Sequence, residues 1–271
     1  MGVLIVLMGC DEKAAPRRQA VETPVVEPSA AAYEIVEFDD GGSVAGSVRW
    51  TGDRPEVGTL PVRLHADVCG QTQPAPTLTI SERGRIRDVV VALTDVRRGR
   101  AGSEEEAPFE MARQGCRFAP HVVARRVGQS LRFTNLDAVM HNVRARRGAR
   151  AVFDLGLPEA GAAVTRTLHE AGVLRVVCDV GHTWELGWVH VFEHPYFAVT
   201  NESGQFRIED VPPGRYTIQV WHEGWREVGG ESGRPVYSSP VVLTRTVSVL
   251  PREETRLSFE LSQQAAELAG D

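Results

Sequence analysis

From Gly42 onward, apolar and polar residues alternate in short runs that are separated by glycine and proline turns. Segment 43–50 alternates with a period of two, and segment 87–96 contains a continuous apolar run typical of a buried strand. Further strand-like runs follow at 122–135, 141–144, 163–168, 173–178 and 188–192, and a second series at 197–200, 205–208, 215–221, 241–250 and 255–261. These patterns predict an all-β chain made of two β-sandwiches in series.

Length and composition narrow the class of protein. A chain of 271 residues is long enough for about two domains. No stretch reaches the ~20 apolar residues that a membrane-spanning helix needs, which excludes a polytopic membrane protein. The formal net charge is −6, whereas nucleic-acid-binding domains are usually basic. We therefore expect no nucleic-acid partner.

The N-terminal residues 1–10, MGVLIVLMGC, form an apolar run that ends in Cys10. Leu7-Met8-Gly9-Cys10 resembles the lipobox of bacterial lipoproteins, which implies a signal peptide over 1–10, acylation of Cys10 and a membrane contact through a lipid anchor. The run is shorter than a normal leader and has no basic residues, which leaves open a start upstream of Met1. The alternative is a frayed apolar end with a free thiol. Segment 11–40 is rich in Ala, Pro and Glu and is expected to be a flexible tether.

Three residues form the strongest chemical pattern in the chain. Cys178 ends a predicted strand, His182 follows four residues later beyond a turn at Gly181, and His141 lies on another strand. Two imidazoles and one thiolate form a ligand set that suits copper. The Cys-x-x-x-His spacing is weak evidence alone, since a buried thiol and a surface histidine give the same pattern.

The surrounding motifs make the copper interpretation more specific. Phe118-Ala119-Pro120, Leu131-Arg132-Phe133-Thr134-Asn135 and His141-Asn142-Val143, followed by a strand ending in Cys178 and by Gly187-Trp188-Val189-His190-Val191, resemble the cupredoxins, plastocyanin in particular. The resemblance implies a cupredoxin-like Greek key over 41–193, in which the strands of 42–96 are extra strands of the same sandwich. It also implies one type 1-like copper ion held by His141, Cys178 and His182.

Glu185 departs from the cupredoxin pattern. It stands where the family places a weak axial methionine. A carboxylate is a harder ligand than a thioether, so ligation by Glu185 would favour Cu(II), lower the reduction potential and make zinc an alternative metal. In the other interpretation Glu185 points to solvent and the copper is three-coordinate. Met140 adjoins His141, but strand neighbours point to opposite faces, so we do not expect it to replace the axial ligand.

The remaining cysteines predict a disulfide. With Cys10 assigned to lipid and Cys178 to the metal, Cys69 and Cys116 remain, and an exported protein would pair them. Two buried free thiols, or a second metal site, are the alternatives. The chain is accordingly expected in the bacterial cell envelope, as a periplasm-facing or surface lipoprotein.

Segment 194–262 has its own motif. Gly204-Gln205-Phe206-Arg207-Ile208 followed by Val211-Pro212-Pro213-Gly214-Arg215-Tyr216 resembles the carboxypeptidase regulatory-like domains, which implies a smaller, transthyretin-like, non-catalytic sandwich before a tail at 263–271. The chain has no Gly-x-Ser-x-Gly, His-Glu-x-x-His or Walker motif, so we expect no enzyme activity.

These observations combine into one functional hypothesis with two alternatives. The hypothesis is an exported, lipid-anchored, mononuclear copper protein that carries electrons at the membrane surface by outer-sphere transfer. Arg144, Arg146 and Arg147 follow His141 and are expected to dock an acidic redox partner protein. The alternatives are a lipoprotein that sequesters or delivers copper without redox turnover, and a metal-free cell-surface scaffold. Of the other histidines, we expect His121 and His190 to be structural, with a second metal site at His194 and His222 as a weaker alternative.

Overall fold

The strands form two sandwiches, one of which is inserted into the other. The computed structural model describes residues 33–103 and 107–264. Residues 33–103 and 194–264 form one unit, here called the split sandwich, and residues 107–193 form the inserted sandwich between its two halves. The prediction of an all-β fold is confirmed.

The elements follow the chain in three groups. The first half of the split sandwich contains β1 (Glu34–Ile35), β2 (Gly42–Trp50), β3 (Thr59–Pro61), the short helix α1 (Ala66–Cys69), β4 (Thr72–Pro74), β5 (Val90–Thr94) and β6 (Arg98–Gly99). The inserted sandwich contains β7 (Phe109–Arg113), β8 (Phe118–Ala119), β9 (Val122–Arg126), β10 (Ser130–Asn135), β11 (His141–Arg147), β12 (Arg150–Leu157), β13 (Ala163–Thr167), β14 (Gly172–Val177) and β15 (Leu186–Phe192). The second half of the split sandwich contains β16 (Phe197–Val199), β17 (Gln205–Val211), β18 (Gly214–His222), β19 (Glu227–Glu231), β20 (Arg234–Tyr237), β21 (Val241–Val249) and β22 (Glu254–Leu261).

The strand pairing corrects the predicted cupredoxin-like domain over 41–193, because the strands of 42–96 do not belong to it. β2 lies between β17 and β22, and β5 lies between β16 and β18, so both belong with the C-terminal strands and not with the copper motif. The inserted sandwich has a four-stranded sheet β13-β10-β7-β8 and a five-stranded sheet β12-β11-β14-β15-β9. Period-two alternation shows that a strand is half-buried, but it carries no information about which strand is its neighbour.

Each sandwich has its own apolar core, and β5 connects them. Val91 and Leu93 on one face of β5 enter the core of the split sandwich, together with Val44, Val48 and Ile218. Val90 on the other face packs with Val122 and Trp221, where the two sandwiches meet. The continuous apolar run in this strand is therefore explained by burial on both faces.

The last residues of the predicted tether belong to the fold. Residues 33–40 pack on the split sandwich: β1 pairs with β6, and the Tyr33 hydroxyl donates to the Arg100 carbonyl at 2.7 Å. The predicted signal peptide, Cys10 and residues 11–32 lie outside the described residues, as does the tail beyond residue 264. Among residues 33–103 and 107–264, no helix combines the length and the apolar character needed to cross a bilayer.

One segment of the split sandwich reaches over to the inserted sandwich. Residues 59–74, here called the strap, comprise β3, α1 and β4. The predicted disulfide is confirmed: Cys69 of the strap is bonded to Cys116. Both cysteines pack in a small buried cluster with Val62 and Trp184. The strap is thus attached covalently beside the turn that follows Cys178.

We predict that this disulfide contributes to the stability of the whole chain. The bond spans 47 residues of sequence, and removing a cross-link of this kind typically costs about 2–4 kcal/mol, in part because the unfolded chain regains freedom. The variant Cys69→Ser/Cys116→Ala should show that loss in chemical denaturation of the metal-free protein. Adding a reductant to the wild type should lower its stability toward that of the variant while leaving the variant unchanged. An equally stable variant would contradict the prediction.

Candidate metal centre

Four potential ligand side chains converge at one edge of the five-stranded sheet. β11 begins at His141 and runs antiparallel to β14, so the start of β11 lies beside the end of β14, where Cys178 follows. His182 and Glu185 lie in the turn between β14 and β15. Residues 178–185 are here called the ligand loop. All four side chains are buried, and their ligand atoms lie within 4.8 Å of one another.

The distances describe a compact group of donor atoms. The Nδ1 atoms of His141 and His182 are 3.0 Å apart, and the Cys178 Sγ lies 3.9 Å from the first and 3.5 Å from the second. Glu185 Oε1 lies 3.0 Å from His141 Nδ1 and 3.3 Å from His182 Nδ1. The alternative in which Glu185 points to solvent is wrong, since this residue is 1% exposed.

A buried arginine holds the other oxygen of the Glu185 carboxylate. Arg113 Nη1 lies 2.6 Å from Glu185 Oε2, and both side chains have no solvent exposure. Arg113 also donates from Nη2 to the Asn142 carbonyl at 2.5 Å and stacks on the Phe118 ring. Burial acts to raise the pKa of Glu185, but the Arg113 charge, aided by the two imidazoles, outweighs it and lowers that pKa to about 2. Glu185 is therefore a carboxylate at neutral pH.

Neighbouring groups orient both imidazoles. His141 Nε2 lies 3.1 Å from Asp137 Oδ2, and Asp137 also accepts hydrogen bonds from the backbone N–H groups of Gly115 and Cys116. A carboxylate that accepts a hydrogen bond from Nε2 keeps the proton on that nitrogen. The Nδ1 lone pair is then directed at the other three potential ligands. His182 Nε2 lies 2.9 Å from His65 Nδ1 of the strap, and this contact holds the second imidazole.

The arrangement fits a single cation. Glu185 Oε1 is buried, and it lies among other groups that present lone pairs, namely the Nδ1 atoms of His141 and His182 and the Cys178 sulfur. Such a cluster is costly to bury unless a positive charge lies within it. Burial acts to lower the pKa of His182, but its hydrogen bonds to Cys178 and Glu185 and the charges of these groups outweigh burial and raise that pKa. Two imidazole nitrogens, one thiolate and one carboxylate oxygen are ligands that copper and zinc accept.

The ligand loop is also held from outside the inserted sandwich. Arg234, on β20 of the split sandwich, donates to the backbone carbonyls of Cys178, Thr183 and Glu185. The strap also contacts the loop, where Leu64 packs on Gly181 so closely that a Cβ at this positive-φ position would lie 2.7 Å from Leu64 Cδ2.

Four further residues shape this centre and were not identified from the sequence: Arg113, Asp137, His65 and Arg234. Arg113, His65 and Arg234 contact the ligands or the ligand loop from positions far away in the chain, so no local spacing links them to the copper motif. Asp137 lies four residues before His141, and this spacing was the one local signal that could have identified a residue of this group.

The other singled-out residues have structural surroundings. Met140 is 46% exposed, so its thioether is not part of the buried group. Buried His121 pairs with Glu223, and buried His190 packs on Trp221, where burial lowers its pKa to about 3. Within the described residues, neither His194 nor His222 belongs to a group that could hold a metal.

The predicted docking arginines are largely paired. Arg144 forms an ion pair with Asp179 at 2.9 Å, and Arg147 pairs with Glu170. Arg146 donates to the Ala149 carbonyl and is partly exposed. Acidic side chains therefore offset part of the basic character of this patch.

Comparisons with known proteins give limited matches. No family model and no curated protein matches the chain. A reduced proline-to-phenylalanine mutant of amicyanin is 19% identical over 33% of this chain and 87% of that chain, with a TM-score of 0.29. A purple cupredoxin from Nitrosopumilus maritimus is 21% identical over 31% and 99% of the two chains, with a TM-score of 0.28. A copper-containing nitrite reductase from Thermus scotoductus SA-01 is 20% identical over 35% of this chain and 24% of that chain, with a TM-score of 0.29.

We predict that Arg113 and Glu185 depend on each other for stability. Arg113→Met leaves a buried carboxylate without its counter-charge, and Glu185→Met leaves a buried guanidinium, so each should cost about 3–5 kcal/mol. The double variant Arg113→Met/Glu185→Met removes both charges and should recover most of that loss. Denaturation of the four metal-free proteins measures the coupling, and additive losses would show that the pair does not act as a unit.

Proposed function

We propose that the inserted sandwich is a cupredoxin-like domain that binds one copper ion through His141, Cys178, His182 and Glu185, and that the chain is an electron carrier. The observation that carries the proposal is the buried convergence of two Nδ1 atoms, a thiol and a carboxylate oxygen within 4.8 Å of one another. Zinc is the alternative metal for this ligand set.

The protein residues would keep the ligand positions fixed. His141 is oriented by Asp137, His182 contacts His65, and Glu185 is held by Arg113. Bound copper would supply a one-electron couple. A buried and rigid ligand set changes little between the two oxidation states, which keeps the reorganisation small during outer-sphere transfer.

The same proposal includes the location and the partner. The resemblance of Leu7-Met8-Gly9-Cys10 to a lipobox supports acylation of Cys10, with the folded part at the surface of a membrane in the bacterial cell envelope. Arg144, Arg146 and Arg147 lie on the strand that begins at His141, and they would steer an acidic redox partner protein.

A second candidate function is copper sequestration or delivery without redox turnover. The position of Glu185 favours it, since Oε1 lies 3.0 Å and 3.3 Å from the two Nδ1 atoms. A carboxylate ligand favours Cu(II) over Cu(I) and lowers the reduction potential.

The first test is a titration of the full chain with Cu(II), followed by visible absorption and EPR. We expect one copper per chain and an intense thiolate-to-copper band, which Cys178→Ala should abolish. His169→Ala is the matched control, since this histidine is exposed and lies outside the buried group. No band in the wild type, or an unchanged band in Cys178→Ala, would refute the proposed centre.

The second test separates the two functions by the reduction potential. A reversible couple in the wild type supports electron transfer, whereas a copper that stays Cu(II) under physiological reductants supports sequestration. In Arg113→Met/Glu185→Met a soft thioether replaces the carboxylate, so the potential should rise. An unchanged potential would show that Glu185 does not act on the metal.

A further inference from the structure

We propose that Arg234 of the split sandwich is a positioning residue for the metal ligands of the inserted sandwich, so that the centre depends on both units. This inference rests on the proposed function and assigns a role to the C-terminal half of the chain. Arg234 touches no ligand atom of the four side chains; it acts on the backbone that carries three of them.

The contacts of Arg234 cover the ligand loop from end to end. Nη2 donates to the Cys178 carbonyl at 2.5 Å, and Nη1 donates to the carbonyls of Thr183 and Glu185 at 2.9 Å each. Nη2 also lies 3.4 Å from Asp179 Oδ1. One guanidinium therefore joins the first and last residues of the loop, both of which are proposed ligands. The Arg234 side chain is 15% exposed.

The chemistry of arginine suits this task. A planar guanidinium presents several N–H donors in fixed directions, so one side chain can satisfy carbonyls that diverge from an irregular turn. Lysine would keep the charge but would offer a single nitrogen on a flexible chain. Hydrogen bonds to a charged donor are stronger than those between neutral groups.

The hairpin that carries Arg234 is closed at its base. β19 and β20 pair in an antiparallel manner, and the Ser238 N–H donates to the Arg226 carbonyl at 2.8 Å. A Cβ on Gly224 would lie 1.7 Å from the Ser238 carbonyl oxygen, so the two ends of the hairpin touch. This close contact fixes where β20 places Arg234.

The strap makes a second set of contacts with the loop. His65 contacts His182, and Leu64 packs on Gly181, while the Cys69–Cys116 disulfide attaches the strap to the inserted sandwich. The ligand loop therefore contacts two elements of the split sandwich. Loss of Arg234 should remove one set of contacts while the strap keeps the other.

The experiment compares Arg234→Met and Arg234→Lys with Arg226→Met in the full chain. Arg226 is exposed at the base of the same hairpin, so its loss changes the net charge equally without touching the loop. Three quantities are measured: release of copper to a chelator, the EPR spectrum of the Cu(II) form, and amide hydrogen exchange of 178–186 in the metal-free protein. Outer-sphere partners typically contribute 10- to 100-fold to metal affinity, so we expect release from Arg234→Met to be about 10- to 100-fold faster.

The outcomes separate this inference from the proposed function. Faster release, an altered EPR spectrum and faster exchange in Arg234→Met, with Arg226→Met like wild type and Arg234→Lys intermediate, would support the inference. Wild-type release and exchange in Arg234→Met would overturn it, as would equal effects in Arg226→Met. If the wild type bound no copper, the proposed function would fall, and exchange in the metal-free chain would still decide whether Arg234 orders the loop.

Discussion

The candidate metal centre requires two imidazoles, a thiol and a carboxylate to be buried at one point. Each of these groups presents lone pairs or negative charge to the others, so the cluster is stable only where positive charge compensates it. The fold supplies part of that charge through Arg113, which has no solvent exposure and contacts Glu185 at 2.6 Å. Under the proposed function a metal ion would supply the remainder. The same cluster would then limit the stability of the metal-free chain and give the site an affinity for a cation.

Because of the chain connectivity, both sandwiches contribute residues to this site. Because β2 and β5 pair with strands from the C-terminal half, the inserted sandwich leaves the split sandwich after residue 103 and returns to it at residue 194. The strap and the β19–β20 hairpin both extend from the split sandwich toward the ligand loop. One contributes His65 and the disulfide cysteine Cys69, and the other contributes Arg234. The segment 194–262, which looks like a separate non-catalytic module in sequence, thus contacts the backbone of the ligand loop through Arg234.

Local sequence patterns predicted the features that depend on residues close together in the chain. The period-two runs located most strands, and the spacing of Cys178, His182 and Glu185 placed these residues on one turn between β14 and β15. The pairing of β2 with β22, and the contacts of Arg113 and Arg234, depend on residues far apart in sequence, for which one sequence carries no local signal. The position of Glu185 was left open for the same reason. Whether it faces the ligands or solvent is decided by the buried guanidinium of Arg113, which comes from β7.

The charges around Glu185 bear on which function the centre serves. An unpaired carboxylate on the metal would stabilise Cu(II) strongly, because its full negative charge would oppose reduction. Here one oxygen faces the imidazoles while the other is paired with Arg113, and Arg234 places a second guanidinium on the Cys178 and Glu185 carbonyls. If copper binds as proposed, the positive charges of Arg113 and Arg234 would oppose the carboxylate and favour Cu(I). A carboxylate ligand neutralised in this way would remain compatible with a reversible couple, and for this reason we propose electron transfer ahead of sequestration.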